Sequence, residues 1–355
     1  MRVLFTCADR PTISRNLFHR KILKERFEYD EVVSGGKSYA SRIPSIFARL
    51  PLHFFGKDFY FVSYMGHFLV PIIRLFTNKP IVFDFYLSIY DVMCNDRKLY
   101  SPDSLLGRFT YSMEKSSLQK ADYIIVDTNR LISTLSDEYG VDRDKFIKVP
   151  LTINEDNVKK ISVDRYRESF TVLYVGSYIP LHGVEVVIEA AKILQDMGED
   201  IYFLMIGEGP EYQKCVELVE KYHLTNVEFK GFMTLEELNH YYNSTDINLG
   251  LFSVGERANS VVLNKTNDSF RVGKPHLTLE TDAMREAFED NRDIFFVKDN
   301  SPQTLAERIV EISRNPKLLK EVGDNALISY DEKLSNAKAK EILDSQIFDK
   351  IESLN

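Results

Sequence analysis

Residues 175–194 read VGSYIPLHGVEVVIEAAKIL, and they combine two glycines with polar side chains at a predicted strand-to-helix turn. Gly176 follows an apolar run, and Gly183 comes seven residues later, where an amphipathic segment begins. Between them, Ser177 offers a hydroxyl group and His182 offers an N–H or a positive charge. A glycine-bounded loop that leads into a helix N-terminus suits an anion such as phosphate. A plain turn between strand and helix is the alternative.

Residues 264–275, NKTNDSFRVGKP, carry a cation and a carboxylate at helical spacing. Lys265 and Asp268 are three residues apart, so a helix that begins near Lys265 places both side chains on one face. Lys265 would neutralise the oxygens of a diphosphate, and Asp268 would accept hydrogen bonds from two ribose hydroxyls. The alternative is an ion pair on the helix surface, which contributes about 0.2–0.5 kcal/mol.

A third glycine-containing turn, IGEGP at residues 206–210, follows another apolar run and includes Glu208. It lacks the third glycine of a GxGxxG sequence, so a dinucleotide-binding fold is poorly supported. A tight strand-to-helix turn with no ligand explains the segment equally well.

The first half of the chain offers further polar candidates near the ends of its apolar runs, namely His67, Asp84 and Asp91. Each carboxylate could orient a hydroxyl group of a ligand, although one of the two could instead cap a helix. The alternative for His67 is a histidine of the core or of a loop whose hydrogen bonds are satisfied within the protein. Arg10 and Arg15 could bind a phosphate or another ligand, or they could form a solvated basic face.

Strand-like and helix-like segments alternate in both halves, which predicts parallel sheets with helices on both faces. In the first half, strands are predicted at 2–7, 59–64, 81–83, 123–126 and 147–149, and helices at 12–27, 67–76, 104–119 and 130–139. In the second half, strands are predicted at 170–175, 201–206, 227–229 and 247–252, and helices at 184–197, 211–222, 235–243, 265–272, 301–315 and 316–329. Residues 253–265 are predicted to be a loop.

A chain of 355 residues is long enough for two domains, and the polar segment 151–169 is the predicted linker. We expect an N-terminal domain at 1–160, a C-terminal domain at 161–334, and a helix at 335–355 that packs back on the first domain. The fold class is therefore α/β, with two Rossmann-like, doubly wound domains facing each other across a cleft. In such sheets, ligands bind beyond the carboxyl ends of the strands.

The net charge of −8 is unevenly distributed, because residues 1–79 carry 13 Lys and Arg against 6 Asp and Glu, or +7. The acidic remainder disfavours nucleic acid as a partner. The basic segment suggests peripheral contact with an anionic membrane, with an ordinary solvated imbalance as the alternative. The most apolar window, 59–76, falls short of the roughly 20 apolar residues of a spanning helix. Three widely spaced cysteines favour a reducing compartment, so we expect a cytoplasmic protein, peripheral at most at the inner face of the membrane.

The order and spacing of VGSYIPLHGVE, IGEGP, VEFKGFMTLEELNHYYNSTDINLGLF and LNKTNDSFRVGKP resemble the retaining glycosyltransferases of family 4 (glycosyl transferases group 1). The resemblance covers about residues 170–330. The segments DFYFVSYMGHFLVPIIRLFTNKPIVFDFYLSIYD and LQKADYIIVDTNRL look like the acceptor domain of that family. The resemblance implies the GT-B fold, retention of anomeric configuration without a protein nucleophile, and no metal.

The resemblance also implies roles for individual residues. Ser177 and His182 occupy the donor-phosphate positions where many members have Arg and Lys, and Lys265 matches a lysine used against the diphosphate. Asp268 falls on the ribose-binding glutamate, whereas Ser260 stands where a second glutamate is common. Donor-binding residues are predicted to be Gly176, Ser177, His182, Gly183, Glu208, Gly231, Phe232, Asn264, Lys265 and Asp268, with Gly231 and Phe232 near the base.

These observations predict transfer of a hexosyl-type sugar from a UDP-, GDP- or ADP-sugar, without a cofactor, to a glycan, a lipid-linked saccharide or a small alcohol. Lys265 would stabilise the leaving diphosphate, and His67, Asp84 or Asp91 would serve the acceptor side. Two alternatives remain open at this stage. One is a non-catalytic protein that binds nucleotide sugars or acts as a scaffold, and the other is a sugar-nucleotide epimerase with the GT-B fold.

Overall fold

The computed structural model describes residues 1–36 and 39–354, which divide into two units. Unit 1 comprises Met1–Thr152 together with Asn336–Asn355, and unit 2 comprises Ile153–Ser335. The first division falls earlier than the predicted boundary at residue 160, because Ile153 and Val158 are buried in the core of unit 2. Residues 37 and 38 of the basic segment 1–79, and residue 355 of the predicted terminal helix, lie outside the described residues.

Unit 1 contains a six-stranded parallel sheet in the order β2-β1-β3-β4-β5-β6. Its strands are β1 (Arg2–Cys7), β2 (Glu28–Val32), β3 (Phe59–Ser63), β4 (Ile81–Asp84), β5 (Tyr123–Val126) and β6 (Phe146–Lys148). Its first five helices are α1 (Ser14–Arg26), α2 (Tyr39–Phe54), α3 (Leu69–Phe76), α4 (Leu105–Lys120) and α5 (Asn129–Tyr139). The central strands β3 and β4 are buried at every position, as expected for a parallel sheet covered on both faces.

Unit 2 contains a second six-stranded parallel sheet in the order β12-β11-β10-β7-β8-β9. Its strands are β7 (Phe170–Val175), β8 (Ile201–Ile206), β9 (Val227–Lys230), β10 (Ile247–Leu249), β11 (His276–Leu279) and β12 (Phe295–Val297). Its helices are α6 (Val184–Asp196), α7 (Tyr212–Lys221), α8 (Leu235–Ser244), α9 (Glu256–Ser260), α10 (Asn264–Arg271), α11 (Asp282–Arg285), α12 (Pro302–Ser313) and α13 (Pro316–Ser329). The strand order reverses between β7 and β10, which is where doubly wound sheets bind ligands.

The C-terminal residues complete the core of unit 1. They form α14 (Asn336–Leu343), a π-helical stretch at Asp344–Phe348 and α15 (Asp349–Ser353), so the single helix predicted for 335–355 is interrupted. Ala339, Leu343, Ile347, Phe348 and Ile351 are fully buried against apolar side chains of α1, β1 and β3. Across the described residues, the structure has no helix with the length and apolar character needed to cross a membrane.

Candidate functional site

The carboxyl ends of β7 and β10 are joined by a close contact between their loops. Gly183 has a φ of +62°, and a Cβ atom there would lie 2.6 Å from the backbone nitrogen of Ser253. The Phe252 N–H donates a hydrogen bond to the His182 carbonyl oxygen over 3.0 Å. Only glycine combines this backbone conformation with this approach. Gly183 therefore fixes the loop after β7 against the loop after β10, with α6 beginning at the next residue.

Lys265 on α10 is buried beside this loop. Its Nζ lies 4.1 Å from the centroid of the Tyr174 ring and donates to the Gly250 carbonyl oxygen over 3.4 Å. A Cβ atom at Gly176 would come within 2.9 Å of the same Nζ, so the glycine leaves room for the ammonium group. No carboxylate of the described residues forms an ion pair with Lys265, and burial lowers its pKa to about 7.

His182 does not supply the positive charge that its residue type allows. Its Nδ1 lies 2.5 Å from the Ser177 carbonyl oxygen and 2.8 Å from the Tyr174 hydroxyl oxygen. Because a carbonyl only accepts, this contact assigns the ring proton to Nδ1. Burial, and then the nearby Lys265, lower the pKa of His182 to about 2. The imidazole is therefore neutral in this structure, and Lys265 supplies the positive charge next to the loop.

Asp268 lies on the same helix as Lys265 and is also buried. The Tyr242 hydroxyl donates to Asp268 Oδ2 over 3.2 Å. Burial raises the pKa of Asp268 to about 7, although the bond from Tyr242 opposes the shift. Among the described residues, Lys265 and Asp268 form no ion pair with each other. The alternative of an exposed surface ion pair is wrong, because both side chains are removed from solvent.

The loops after β8 and β9 bring three more predicted donor-binding residues together. The backbone N–H of Phe232 donates to Glu208 Oε1 over 3.4 Å, and a Cβ atom at Gly231 would lie 3.5 Å from the same oxygen. The Phe232 side chain is 77% exposed, so its ring is available to a ligand. Ser177 and Asn264, the other predicted polar contacts, are exposed.

Ser260 ends the short helix α9 within the segment predicted as a loop. Its hydroxyl donates to the Glu256 carbonyl oxygen over 2.8 Å. The side chain is buried, and this bond to Glu256 stays within the helix.

Asp84 in unit 1 is fully buried rather than open to an acceptor. It accepts bonds from Arg15 Nε at 2.9 Å and Nη2 at 2.6 Å, and from the Ser63 hydroxyl at 2.9 Å. Burial alone would raise the pKa of Asp84, but the Arg15 guanidinium holds it below its ordinary value. Arg15 is likewise buried, so the predicted solvated basic face does not include it. The pair holds α1 against β3 and β4.

His67 is also buried, with only 1% exposure. Its ring packs edge-on against Phe83 and Phe85, each at 5.1 Å between ring centroids. Burial lowers the pKa of His67 to about 3, and its Nε2 lies 3.9 Å from Glu114 Oε2. These surroundings match a core histidine and give an acceptor no surface to contact.

Of the three acceptor-side candidates, Asp91 alone is partly exposed. It begins a π-helical turn, Asp91–Asp96, and accepts a hydrogen bond from Asn95 Nδ2 at 3.0 Å. Its backbone N–H donates to the Ser88 hydroxyl oxygen, which in turn donates to the buried Glu114 carboxylate over 2.6 Å. Glu114 thus anchors the loop that carries Asp91.

Three residues that shape these sites were not predicted from the sequence: Tyr174, Tyr242 and Glu114. Each lies within a strand or helix whose pattern is explained by core packing, so no local signal separates it from its neighbours. Across residues 1–36 and 39–354, His, Cys, Asp and Glu side chains form no group of three that could hold a metal ion.

Comparison with known proteins gives a family match over part of the chain. Residues 156–327 match the family of glycosyl transferases group 1. This match lies wholly within unit 2 and confirms the predicted resemblance to that group over these residues.

Two curated relatives are similar over part of the chain. An uncharacterized glycosyltransferase of Methanocaldococcus jannaschii is 27% identical over 153 residues, which are 43% of this chain and 41% of that protein. The 2-deoxystreptamine glucosyltransferase of Streptomyces kanamyceticus is 25% identical over 171 residues, which are 44% of each protein. The chain therefore matches less than half the length of these two relatives.

Two solved structures superpose on all or nearly all of the chain. Sucrose-phosphate synthase from Thermosynechococcus elongatus superposes with a TM-score of 0.80 at 13% identity, covering 100% of both chains. Anabaena HepE in complex with UDP superposes with a TM-score of 0.75 at 12% identity, covering 98% of this chain and 100% of that one. These similarities confirm the predicted GT-B fold of two Rossmann-like α/β domains.

Proposed function

We propose that the protein is a glycosyltransferase whose unit 2 binds a nucleoside diphosphate sugar by its diphosphate. The observation that carries this proposal is Lys265, which is buried beside Gly176 and has no acidic partner among residues 1–36 and 39–354. A buried charge without a counter-charge is costly, and a diphosphate bound at the loop would supply the missing negative charge. The family match over residues 156–327 supports the same reading.

The start of α6 strengthens this anion site. Gly183 caps the helix without a side chain, so no side-chain cap bonds the first backbone N–H groups of α6. The helix dipole adds partial positive charge at the same place. We propose that Lys265 and these N–H groups contact the diphosphate together, with the exposed Ser177 hydroxyl as a further donor.

The remainder of the donor would extend along the carboxyl edge of the sheet. Asp268, held by Tyr242, would accept hydrogen bonds from the ribose hydroxyls, and the exposed Phe232 ring would contact the base. We propose a UDP-, GDP- or ADP-sugar as the donor. UDP is the first probe, because the structurally similar Anabaena HepE is described in complex with UDP.

In the proposed reaction, the bond between the anomeric carbon and the β-phosphate oxygen breaks while the acceptor oxygen bonds to that carbon. The acceptor proton passes to the leaving phosphate oxygen. Negative charge grows on this phosphate, so Lys265 and the α6 N–H groups would stabilise the transition state more than the ground state.

We propose that a hexosyl group is transferred with retention, and without a metal, to a glycan or lipid-linked acceptor. Asp91 is the acceptor-side carboxylate that solvent reaches.

The proposal is tested by nucleotide binding and turnover. We expect UDP, GDP or ADP to raise the melting temperature, since a ligand at a hundredfold excess over its Kd adds about 2.7 kcal/mol to the free energy of unfolding. With the matching nucleotide sugar and an acceptor extract, nucleoside diphosphate should be released. Lys265→Met should greatly reduce both effects, whereas Lys192→Met, on the exposed face of α6, should change neither.

Three outcomes would contradict the proposal. The absence of stabilisation by any of these nucleotides at millimolar concentration would remove the donor site. Binding without release would favour a non-catalytic protein, and an isomerised donor would favour an epimerase.

A further inference from the structure

Residues 97–109 of unit 1 expose large apolar side chains next to cations, and we call them the α4 surface. Four apolar side chains of this segment face solvent, namely Leu99 (63% exposed), Leu105 (86%), Leu106 (61%) and Phe109 (65%). Leu105 and Phe109 are one helical turn apart on α4, so they lie on the same side of the helix. Four such side chains within one short segment form a patch, rather than the single exposed residues that any surface shows.

The cations of the α4 surface are unneutralised. Arg97, Lys98 and Arg108 are all exposed, and none of them forms an ion pair in the part of the chain that the structure describes. The segment contains one carboxylate, Asp103, so it has an excess of positive charge. Unpaired cations that border exposed leucine and phenylalanine side chains are typical of segments that lie in the headgroup region of an anionic bilayer.

The chain topology places this surface at the carboxyl edge of the first sheet. The α4 surface follows the loop after β4, and α4 then runs back to the start of β5 at the opposite edge. In doubly wound sheets the carboxyl edge is where ligands bind. The loop that carries Asp91 is at the same edge, immediately before the α4 surface.

A second exposed apolar group lies at the opposite edge of the same sheet. It consists of Leu52, Phe55, Leu75 and Phe76, which are near the C-terminal ends of α2 and α3. Two of its neighbouring cations are paired within the protein, because Lys57 pairs with Asp30 at 2.7 Å and Arg74 pairs with Asp122. Arg49 and Lys79 also border the group, and both are exposed and form no ion pair among the described residues. This second group therefore matches the α4 surface in apolar exposure, but two of its four nearby cations are paired, whereas no cation of the α4 surface is paired within the described part of the chain.

We propose that the α4 surface binds an anionic lipid bilayer and thereby presents unit 1 to an acceptor embedded in the membrane. The inference rests on the proposed function and assigns it the lipid-linked class of acceptor. A second copy of the chain fits this surface less well, because a two-fold contact would bring like charges together. The bilayer satisfies both features, since acyl chains cover the apolar side chains and lipid phosphates neutralise the cations.

Vesicle flotation of the full chain tests the inference. We expect the protein to float with phosphatidylcholine vesicles that contain about 30% phosphatidylglycerol, and to float much less with phosphatidylcholine alone. The triple variant Leu105→Ser, Leu106→Ser, Phe109→Ser should bind at least about tenfold more weakly. The variant Arg97→Gln, Lys98→Gln, Arg108→Gln should lose about fivefold per cation removed and should lose the dependence on salt.

The matched control is Leu52→Ser, Phe55→Ser, Phe76→Ser at the opposite edge, which should bind vesicles like the unchanged protein. UDP binding, measured on every variant, reports both folding and the donor site. Equal flotation of the control and the α4 variants, or no flotation at all, would overturn the inference. So would a dimer that the Phe109→Ser change dissociates. If vesicles bind but no nucleotide does, the donor proposal fails instead.

Discussion

The environment of Lys265 makes its protonation state sensitive to an anion bound nearby. Its Nζ contacts an aromatic ring and one carbonyl oxygen, and burial lowers its pKa to about 7. A diphosphate at this position would favour the charged form and raise the pKa again. We therefore expect the proposed binding of a diphosphate above pH 7 to be accompanied by uptake of a proton.

We predict that the affinity for UDP falls as the pH rises above 7. The ligand-free site is then increasingly neutral while the bound site stays charged, so the loss approaches about tenfold per pH unit. Below pH 7 the ligand-free lysine is already protonated, and this contribution levels off. Isothermal titration in buffers of different ionisation enthalpy would measure the Kd and the proton taken up.

Lys265→Met provides the control for this pH profile. It should weaken UDP binding by about a hundredfold, because an ion pair with the diphosphate is lost, and it should leave uridine binding nearly unchanged. The remaining affinity should lack the slope above pH 7. An equal slope in this variant would assign the titration to another group.

At the residue scale, the sequence predicted positions better than environments. The spacing of Lys265 and Asp268 correctly placed both on one helix. It could not show that Tyr174 and Tyr242 contact them, since these tyrosines come from β7 and α8, which fold onto α10 from elsewhere in the chain. The neutral state of His182 follows from burial, which residue type alone does not reveal.

At the scale of elements, the turn between β7 and α6 depends on Gly183. We predict that Gly183→Ala lowers the free energy of unfolding by about 2–4 kcal/mol, from backbone strain and from the clash with the loop after β10. It should also weaken UDP binding. Gly198→Ala is the matched control, because Gly198 has a φ of +73° in the same unit with no atom within 4 Å of an added Cβ.

Urea unfolding of Gly183→Ala and Gly198→Ala separates the effect of backbone strain from the effect of the clash with the loop after β10. Gly198→Ala should cost only the conformational penalty of about 1 kcal/mol and keep UDP affinity. If both variants lost equal stability, the contact between Gly183 and the loop after β10 would contribute nothing.

The elements that the sequence revealed are those with a clear apolar pattern. Helix α13 has the predicted bounds of 316–329, and α6 ends within one residue of the predicted 184–197. Strand β2 was not predicted, because EYDEV is a polar edge strand without an apolar face. The residues of helix α9 were predicted to be part of a loop, because a helix of five residues is too short to show helical periodicity in the sequence.

At the scale of the whole molecule, the C-terminal residues are part of the core of unit 1. Phe348 is fully buried, and its ring lies 5.3 Å from that of Phe27 and 6.2 Å from that of Phe59. Arg26 forms ion pairs with Asp344 at 2.8 Å and with Asp349 at 2.6 Å. Both apolar packing and charge thus hold this segment to unit 1.

We predict that Phe348→Ala lowers the free energy of unfolding by about 3–5 kcal/mol, because it leaves a cavity in this core. Leu354→Ala, where the side chain is 69% exposed, should change it by less than about 0.5 kcal/mol. Chemical denaturation followed by circular dichroism would measure both. A small effect of Phe348→Ala would mean that the terminal segment is dispensable to unit 1.

The path of the chain through the two units also sets the order in which they can mature on the ribosome. Unit 2 is continuous from Ile153 to Ser335, so it can fold as soon as it emerges. Unit 1 begins earlier, yet its core stays open until residues 339–351 have been translated. Although domains usually fold in N-to-C order, we therefore expect unit 2 to complete its core before unit 1. The faces of α1 and β1 that residues 339–351 cover should be the last apolar surfaces to be buried as the protein is synthesised.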